Sequence, residues 1–303
     1  MIGPYDDAHA FRIGLERRLL NRARQTGRPL DRLRKEVAHQ RLLARLLHSA
    51  PQGSWALKGG LALLARLDER GRATSDADAN WGATLEELEE TLDRGAVLDL
   101  RDGFSFQIGR ARPLEGETAS GAFRFPVVAV LAGREFERLN LDINLTPTDR
   151  RPVDEVRLRD LLEFADLPAP VVPAIPLAQQ LAEKIHAYTR SYGNGSSRPR
   201  DLYDMLVIAE RLPLPAALAI VEACHTTFEI RNTDWPPQIP DPPDQWADRW
   251  AQFVRVYGIP WITLTRAGQA LRGFWDPLLT APVPGGDWDP DTWGWLPRQV
   301  LRM

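Results

Sequence analysis

The chain has 303 residues, 44% of them apolar and 26% charged, with a formal net charge of −3. That balance suits a globular protein of two lobes of about 150 residues and announces neither nucleic-acid nor membrane binding by bulk basicity. One cysteine, Cys224, excludes an intrachain disulfide and a cysteine-rich metal site; with no apolar run near the ~18 residues of a membrane span and no basic-then-apolar leader, the chain reads as cytoplasmic.

Two arginine-rich amphipathic helices are expected over about 7–25 and 30–48, broken at Thr26-Gly27-Arg28-Pro29. Their excess of basic residues could attract phosphate, although a solvated helix face is the favoured reading. The period then changes. Ser54 to Lys58 reads as a strand, Gly59-Gly60 as a turn, and Leu61, Leu63, Leu64 and Leu67 as a helix stripe. Residues 75–81 read as a second strand, and Thr84 with Glu87 as the capping box of an acidic helix. Strand-like runs follow at 104–109, 122–131 and 135–145, the last two joined as a hairpin at Ala132-Gly133-Arg134. In the last run Leu139, Leu141, Ile143 and Leu145 alternate with Asn140, Asp142 and Asn144, giving one apolar and one polar face.

Prolines at 168, 170, 173 and 176 mark a change of regime. Beyond it the spacing predicts helices over about 177–191, 199–211, 214–229, 244–257 and 264–278. Tryptophans crowd the region after residue 234, which reads as a packing segment. The expectation is a mixed α+β core lobe over 1–165 and a helical lobe over 166–303.

Asp76 and Asp78 lie two apart on a strand and so share a face, where their charges repel unless a cation sits between them. Asp142, on the polar face of a second strand, is a candidate third carboxylate. Three such groups suit a two-metal phosphoryl-transfer site, with a solvated sheet face as the plainer alternative. Gly59 and Gly60 end a strand at a helix start, where backbone N–H groups can approach a phosphate closely; Lys58 could add a point charge. Only three of the 38 basic residues are lysines, and Lys184 falls on the stripe of Leu177, Leu181 and Tyr188. A lysine facing inward there suits a phosphate-binding cation. Asp201 and Asp204 project together from the first turn of the next helix, where Asp201 could equally serve the helix dipole. Arg198 and Arg200 could grip phosphate or cap a neighbouring helix. The five histidines show no zinc-ligand spacing, and no serine or cysteine nucleophile motif is present.

Taken in order, Leu57-Lys58-Gly59-Gly60-Leu61-Ala62-Leu63, Arg72-Ala73-Thr74-Ser75-Asp76-Ala77-Asp78, Glu183-Lys184 and Arg200-Asp201-Leu202-Tyr203-Asp204 resemble the AbiEii/AbiGii nucleotidyltransferase toxins along nearly the whole chain. The resemblance implies a polymerase-β-like nucleotidyltransferase core with a helical C-terminal lobe. It implies transfer of a nucleoside monophosphate from an NTP to an acceptor, the 3′ end of tRNA in characterised relatives, and neutralisation by an antitoxin made with the toxin. By matching position, Asp76 and Asp78 would hold magnesium (manganese being the other candidate), Lys184 would contact the triphosphate, and Asp204 would complete the site. Asp142 or Asp204 would help the acceptor hydroxyl. Thr74 and Ser75 sit where phosphorylation would place charge beside the metals and silence the enzyme. The wider superfamily prefers Gly-Ser after the first strand; here Gly60 is followed by Leu61, so Lys58 or backbone amides must replace that hydroxyl. The alternatives are a protein or small-molecule acceptor, a γ-phosphate transferase, and a non-catalytic nucleotide-binding module.

Overall fold

Asp7 starts the first helix by accepting a hydrogen bond from the Ala10 N–H at 2.8 Å, and Gly27, in left-handed backbone, ends it. A computed structural model of the protein describes residues 1–67, 71–72, 74–114, 121–146, 152–190, 199–280 and 286–297. The chain divides into two units, Met1–Asp68 with Ala73–Ile175, and Glu69–Arg72 with Pro176–Met303.

The first unit holds helices α1 (Ala8–Thr26), α2 (Leu30–Ser49), α3 (Gly59–Leu67) and α4 (Leu85–Val97). Its strands are β1 (Trp55–Lys58), β2 (Asp76–Trp81), β3 (Phe104–Ile108), β4 (Arg112–Pro113), β5 (Ala122–Leu131), β6 (Arg134–Leu145), β7 (Asp154–Arg157) and β8 (Val171–Ala174). They form one sheet in the order β3-β5-β6-β2-β1-β8-β7, with β4 also paired to β5. The β2–β6 and β1–β8 pairs are parallel and the others antiparallel, so the sheet is mixed. The capping box of α4 forms as its sequence suggests. Strands β4, β7 and β8 occupy stretches without a strand signal.

Alternation along the central strands decides which face is covered. Ala77, Ala79 and Trp81 of β2 and Leu141 and Ile143 of β6 are buried in one core with Leu15 of α1, Leu33, Leu43 and Leu46 of α2, and Leu88 and Leu92 of α4. The opposite face carries Asp76, Asp78 and Asn80 on β2 and Asn140, Asp142 and Asn144 on β6.

The solvated basic face expected on the first two helices is present on α1, where Arg17, Arg18 and Arg24 are exposed, whereas much of the remaining basic set is paired internally. Arg41 and Arg45 are buried on Asp102, with Arg45 also donating to the Phe104 carbonyl at 2.6 Å. Arg12 donates to the carbonyls of Leu131, Arg134 and Glu135. Arg34 pairs with Glu16, Arg28 with Glu36, and Lys35 with Glu137. A buried guanidinium needs such partners, because burial without them costs several kcal/mol or about that order.

The second unit contains α5 (Leu177–Thr189), α6 (Pro199–Arg211), α7 (Ala217–Ile230), α8 (Ala247–Tyr257) and α9 (Leu264–Thr280), followed by a hairpin of β9 (Asp287–Asp289) and β10 (Gly294–Leu296). The helix expected from 244 begins as a 3-10 turn at Asp244–Trp246. The late tryptophans are packing residues. The indole N–H groups of Trp250, Trp288, Trp293 and Trp295 donate to the carbonyls of Trp261, Ala209, Ala270 and Phe274 at 2.7–2.9 Å. Among the described residues no helix is long and apolar enough to cross a membrane.

Candidate functional site

On the polar sheet face the register sets the neighbours. Asp78 of β2 stands opposite Asp142 of β6, and Asp76 opposite Asn140. On the other side Asp78 faces Lys58 of β1. Facing side chains on adjacent strands lie within about 5 Å at their Cβ atoms, so Asp78 and Asp142 form a carboxylate pair at the centre of the sheet. Asp76 is anchored: Asn140 donates to its Oδ1 at 3.0 Å and the Ser75 hydroxyl to its Oδ2 at 3.2 Å. The Thr74 hydroxyl donates to the Asp76 carbonyl.

Gly59 has φ +65°, and a Cβ there would overlap the Asp78 carboxylate. Glycine is thus needed for conformation and for room, which gives a physical reason for the first glycine of the turn. Gly60 is buried in the first turn of α3.

Asp142 is committed elsewhere. Arg124 of β5 forks onto it, Nε to Oδ1 at 2.8 Å and a terminal nitrogen to Oδ2 at 2.6 Å. These hydrogen bonds, with the charges of Asp142, Asp76 and Asp78 behind them, push the Arg124 guanidinium above its usual range. Among the described residues no three His, Cys, Asp or Glu side chains stand together as a metal-holding group. The all-oxygen donors Asp76 and Asp78 nevertheless fit a hard divalent cation; the third expected ligand is held by Arg124.

The second unit has its own charged cluster. Lys184 of α5 is buried and donates to Asp204 Oδ2 at 2.5 Å, with Asp201 Oδ1 3.5 Å away. Arg72 forks onto Asp204 with two bonds of 2.9 Å. Burial alone would raise the Asp204 carboxyl, but the Arg72 and Lys184 charges outweigh it and hold it below its usual range. The inward lysine of the α5 stripe therefore has a fully buried carboxylate as its partner. Arg200 is exposed on α6, and Arg198 lies outside the described residues.

The structure thus gathers Lys58, Gly59, Asp76, Asp78 and Asp142 on one sheet face and Lys184, Asp201 and Asp204 in the second unit. Two arginines had no role in the sequence reading, Arg124 and Arg72. Arg72 opens the run Arg72 to Asp78, and its position four residues before Asp76 is the available signal. For Arg124 the signal was an arginine on a strand whose hairpin partner bears Asp142.

The model of the family "Nucleotidyl transferase AbiEii toxin, Type IV TA system" matches residues 41–259, well over half of the chain. No curated protein matches it in sequence. Among solved structures, MenT4, a nucleotidyltransferase toxin from Mycobacterium tuberculosis H37Rv, aligns with a TM-score of 0.53 at 20% identity, over 74% of this chain and 77% of that one. An antigenic nucleotidyltransferase-like protein from Paracoccidioides brasiliensis aligns with a TM-score of 0.37 at 13% identity, over 64% of this chain and 89% of that one. The first speaks to fold alone, and the second is too distant for even that. The fold is a nucleotidyltransferase core with a mixed sheet, followed by a helical C-terminal part. The chain belongs to the AbiEii family of nucleotidyl transferase toxins of type IV toxin–antitoxin systems.

Proposed function

We propose that this toxin transfers a nucleoside monophosphate from an NTP to the 3′ end of tRNA, with magnesium as its cation, and so blocks translation in the cytoplasm until an antitoxin made with it intervenes. Asp76, Asp78 and Asp142 hold the metal, which when bound would neutralise triphosphate charge and lower the acceptor hydroxyl's hold on its proton. Lys58 and the amides at Gly59 and Gly60 receive phosphate oxygens, and Lys184, oriented by Asp204, adds a cation for the triphosphate. Thr74, Ser75, Arg200, Asp201 and Arg198 complete the nucleotide-binding set. In this reading residues 1–165 form the core lobe and 166–303 the helical lobe that supplies Lys184 and Asp204.

The acceptor oxygen forms a bond to the α-phosphorus as the bond from that phosphorus to the α–β bridging oxygen breaks. Pyrophosphate leaves with the bond's electrons, and the hydroxyl proton passes to Asp142; Asp204, fully buried and gripped by Arg72 and Lys184, is left to orient Lys184. The observation that carries this reading is the Asp78–Asp142 pair at the sheet centre, with Asp76 beside it and Gly59 clearing the carboxylate.

The test uses α-labelled NTPs, one at a time, with a tRNA pool and, in parallel, total cell protein. Label entering tRNA from α- but not γ-labelled nucleotide is expected. Label entering protein alone would remove the tRNA acceptor, transfer from the γ-position would replace the reaction, and no transfer from any nucleotide would leave a binding module.

A further inference from the structure

A single register row crosses five strands of the sheet: Arg112 on β4, Arg124 on β5, Asp142 on β6, Asp78 on β2 and Lys58 on β1 stand opposite one another in turn. Its charges run in blocks, two cations, two carboxylates, one cation. Like charges directly opposite on neighbouring strands destabilise a sheet, so the Asp142–Asp78 contact is tolerable only with positive charge supplied to it. Arg124 supplies it at Asp142, with both carboxylate oxygens engaged. The Arg124 side chain is 39% exposed whereas that of Asp142 is 12% exposed, so the guanidinium can swing outward while the carboxylate stays.

The geometry points to Arg124 as a resident counter-cation that competes with the divalent metal for Asp142, so that loading the site exchanges one cation for the other. This rests on the reading of Asp76, Asp78 and Asp142 as the metal-holding carboxylates. Exchange follows from electrostatics: a guanidinium a few ångströms from a divalent ion repels it, and in a half-buried site water screens that repulsion only in part. A metal that takes Asp142 therefore displaces Arg124 from it. Arg112, exposed and opposite Arg124, adds a like charge that weakens the resident pair further.

The readout is metal binding, not turnover. Mn²⁺ binding to the full-length, nucleotide-free protein is followed by electron paramagnetic resonance at fixed ionic strength. Arg124→Gln is expected to tighten Mn²⁺ binding about tenfold, and Arg124→Lys, which keeps the charge but loses the fork, to fall between. Asp76→Asn is expected to weaken it by at least that factor. As a second readout, a double-mutant cycle of Arg124→Gln with Asp142→Asn in thermal unfolding should show coupling without metal that disappears at saturating Mn²⁺. Unchanged or weaker Mn²⁺ binding in Arg124→Gln, beside a loss in Asp76→Asn, would overturn the role of Arg124 and leave the metal site standing. Unchanged binding in both variants would overturn the metal site and the inference with it.

Discussion

Gly59 and Asp78 show how closely backbone and chemistry are matched at the level of single residues. Alanine at position 59 must adopt a φ of +65° and push the Asp78 carboxylate aside. The strain alone is about 1–2 kcal/mol. Gly59→Ala is therefore expected to lower transfer at least tenfold with a small fall in melting temperature, read by α-label incorporation and thermal unfolding side by side. Asp76→Ala removes a proposed ligand outright, and a loss of about 100-fold or more is expected in the same assay; near-wild-type turnover would end the assignment. His39 offers a test of stability against pH. Burial, helped by the Lys35 charge and opposed by Asp76, pulls its pKa from 6.5 down to about 4. The unfolded chain then binds the proton more tightly than the native one, so the neutral ring's contribution is complete above pH 6.5 and is lost as pH falls toward 4. At about 1.4 kcal/mol per pH unit that loss is about 3 kcal/mol. Denaturant unfolding of His39→Leu should show a flatter decline between pH 6.5 and 5 than the native protein. Asp76 and Asp78 were legible because the two-residue period needs only local sequence. Arg72 and Arg124 carry only weak signals, a place four residues before Asp76 and a place on the hairpin partner of the Asp142 strand, because their partners lie 132 and 18 residues away.

The hairpin of β5 and β6 explains why even a correct reading of the elements could not place Arg124. Its two-residue loop, Ala132 at φ 52° and Gly133 at φ 71°, has the positive angles of a type I′ turn. Counting back from Leu131↔Arg134 would set Arg124 against Leu141, on the apolar face. The ladder slips, however, at Ala129/Val130, and beyond it Arg124 meets Asp142. One extra residue in β6, Phe136, makes the difference, since a one-residue shift exchanges the faces of a strand. The loop invites a stabilising change: Ala132→Asn gives the Asn-Gly pair that such turns favour. It should add about 0.5–1 kcal/mol, seen as a rise of about 2 °C in thermal unfolding. Strands β7 and β8 lack a sequence signal for a different reason. Each has four residues, and β8 includes Pro173 in a proline-rich stretch, so pattern alone argued for a loop. The long helices and the alternating strand around Asp142 were legible, because their periods persist long enough to be unambiguous.

Over the whole molecule, the partition into units does not follow a single cut of the chain. Glu69–Arg72 belongs with Pro176–Met303, so the backbone passes between units at three places. Arg72 carries the energetic weight of that arrangement. Its fork is one of two cationic contacts on a fully buried carboxylate, and removing one partner of such a group costs about 3–5 kcal/mol. Arg72→Gln should lower the melting temperature by several degrees, with Arg72→Lys recovering part of it; a variant as stable as the native chain would show the fork to be dispensable. The same discontinuity bears on any attempt at dissection. A polypeptide starting at Pro176 would carry Lys184 and Asp204 but lack their arginine, which is encoded a hundred residues upstream. Splitting the gene once therefore leaves buried Asp204 with one of its two cations, and recombination between relatives that is to keep the fork must exchange the short stretch before β2 together with the helices it serves.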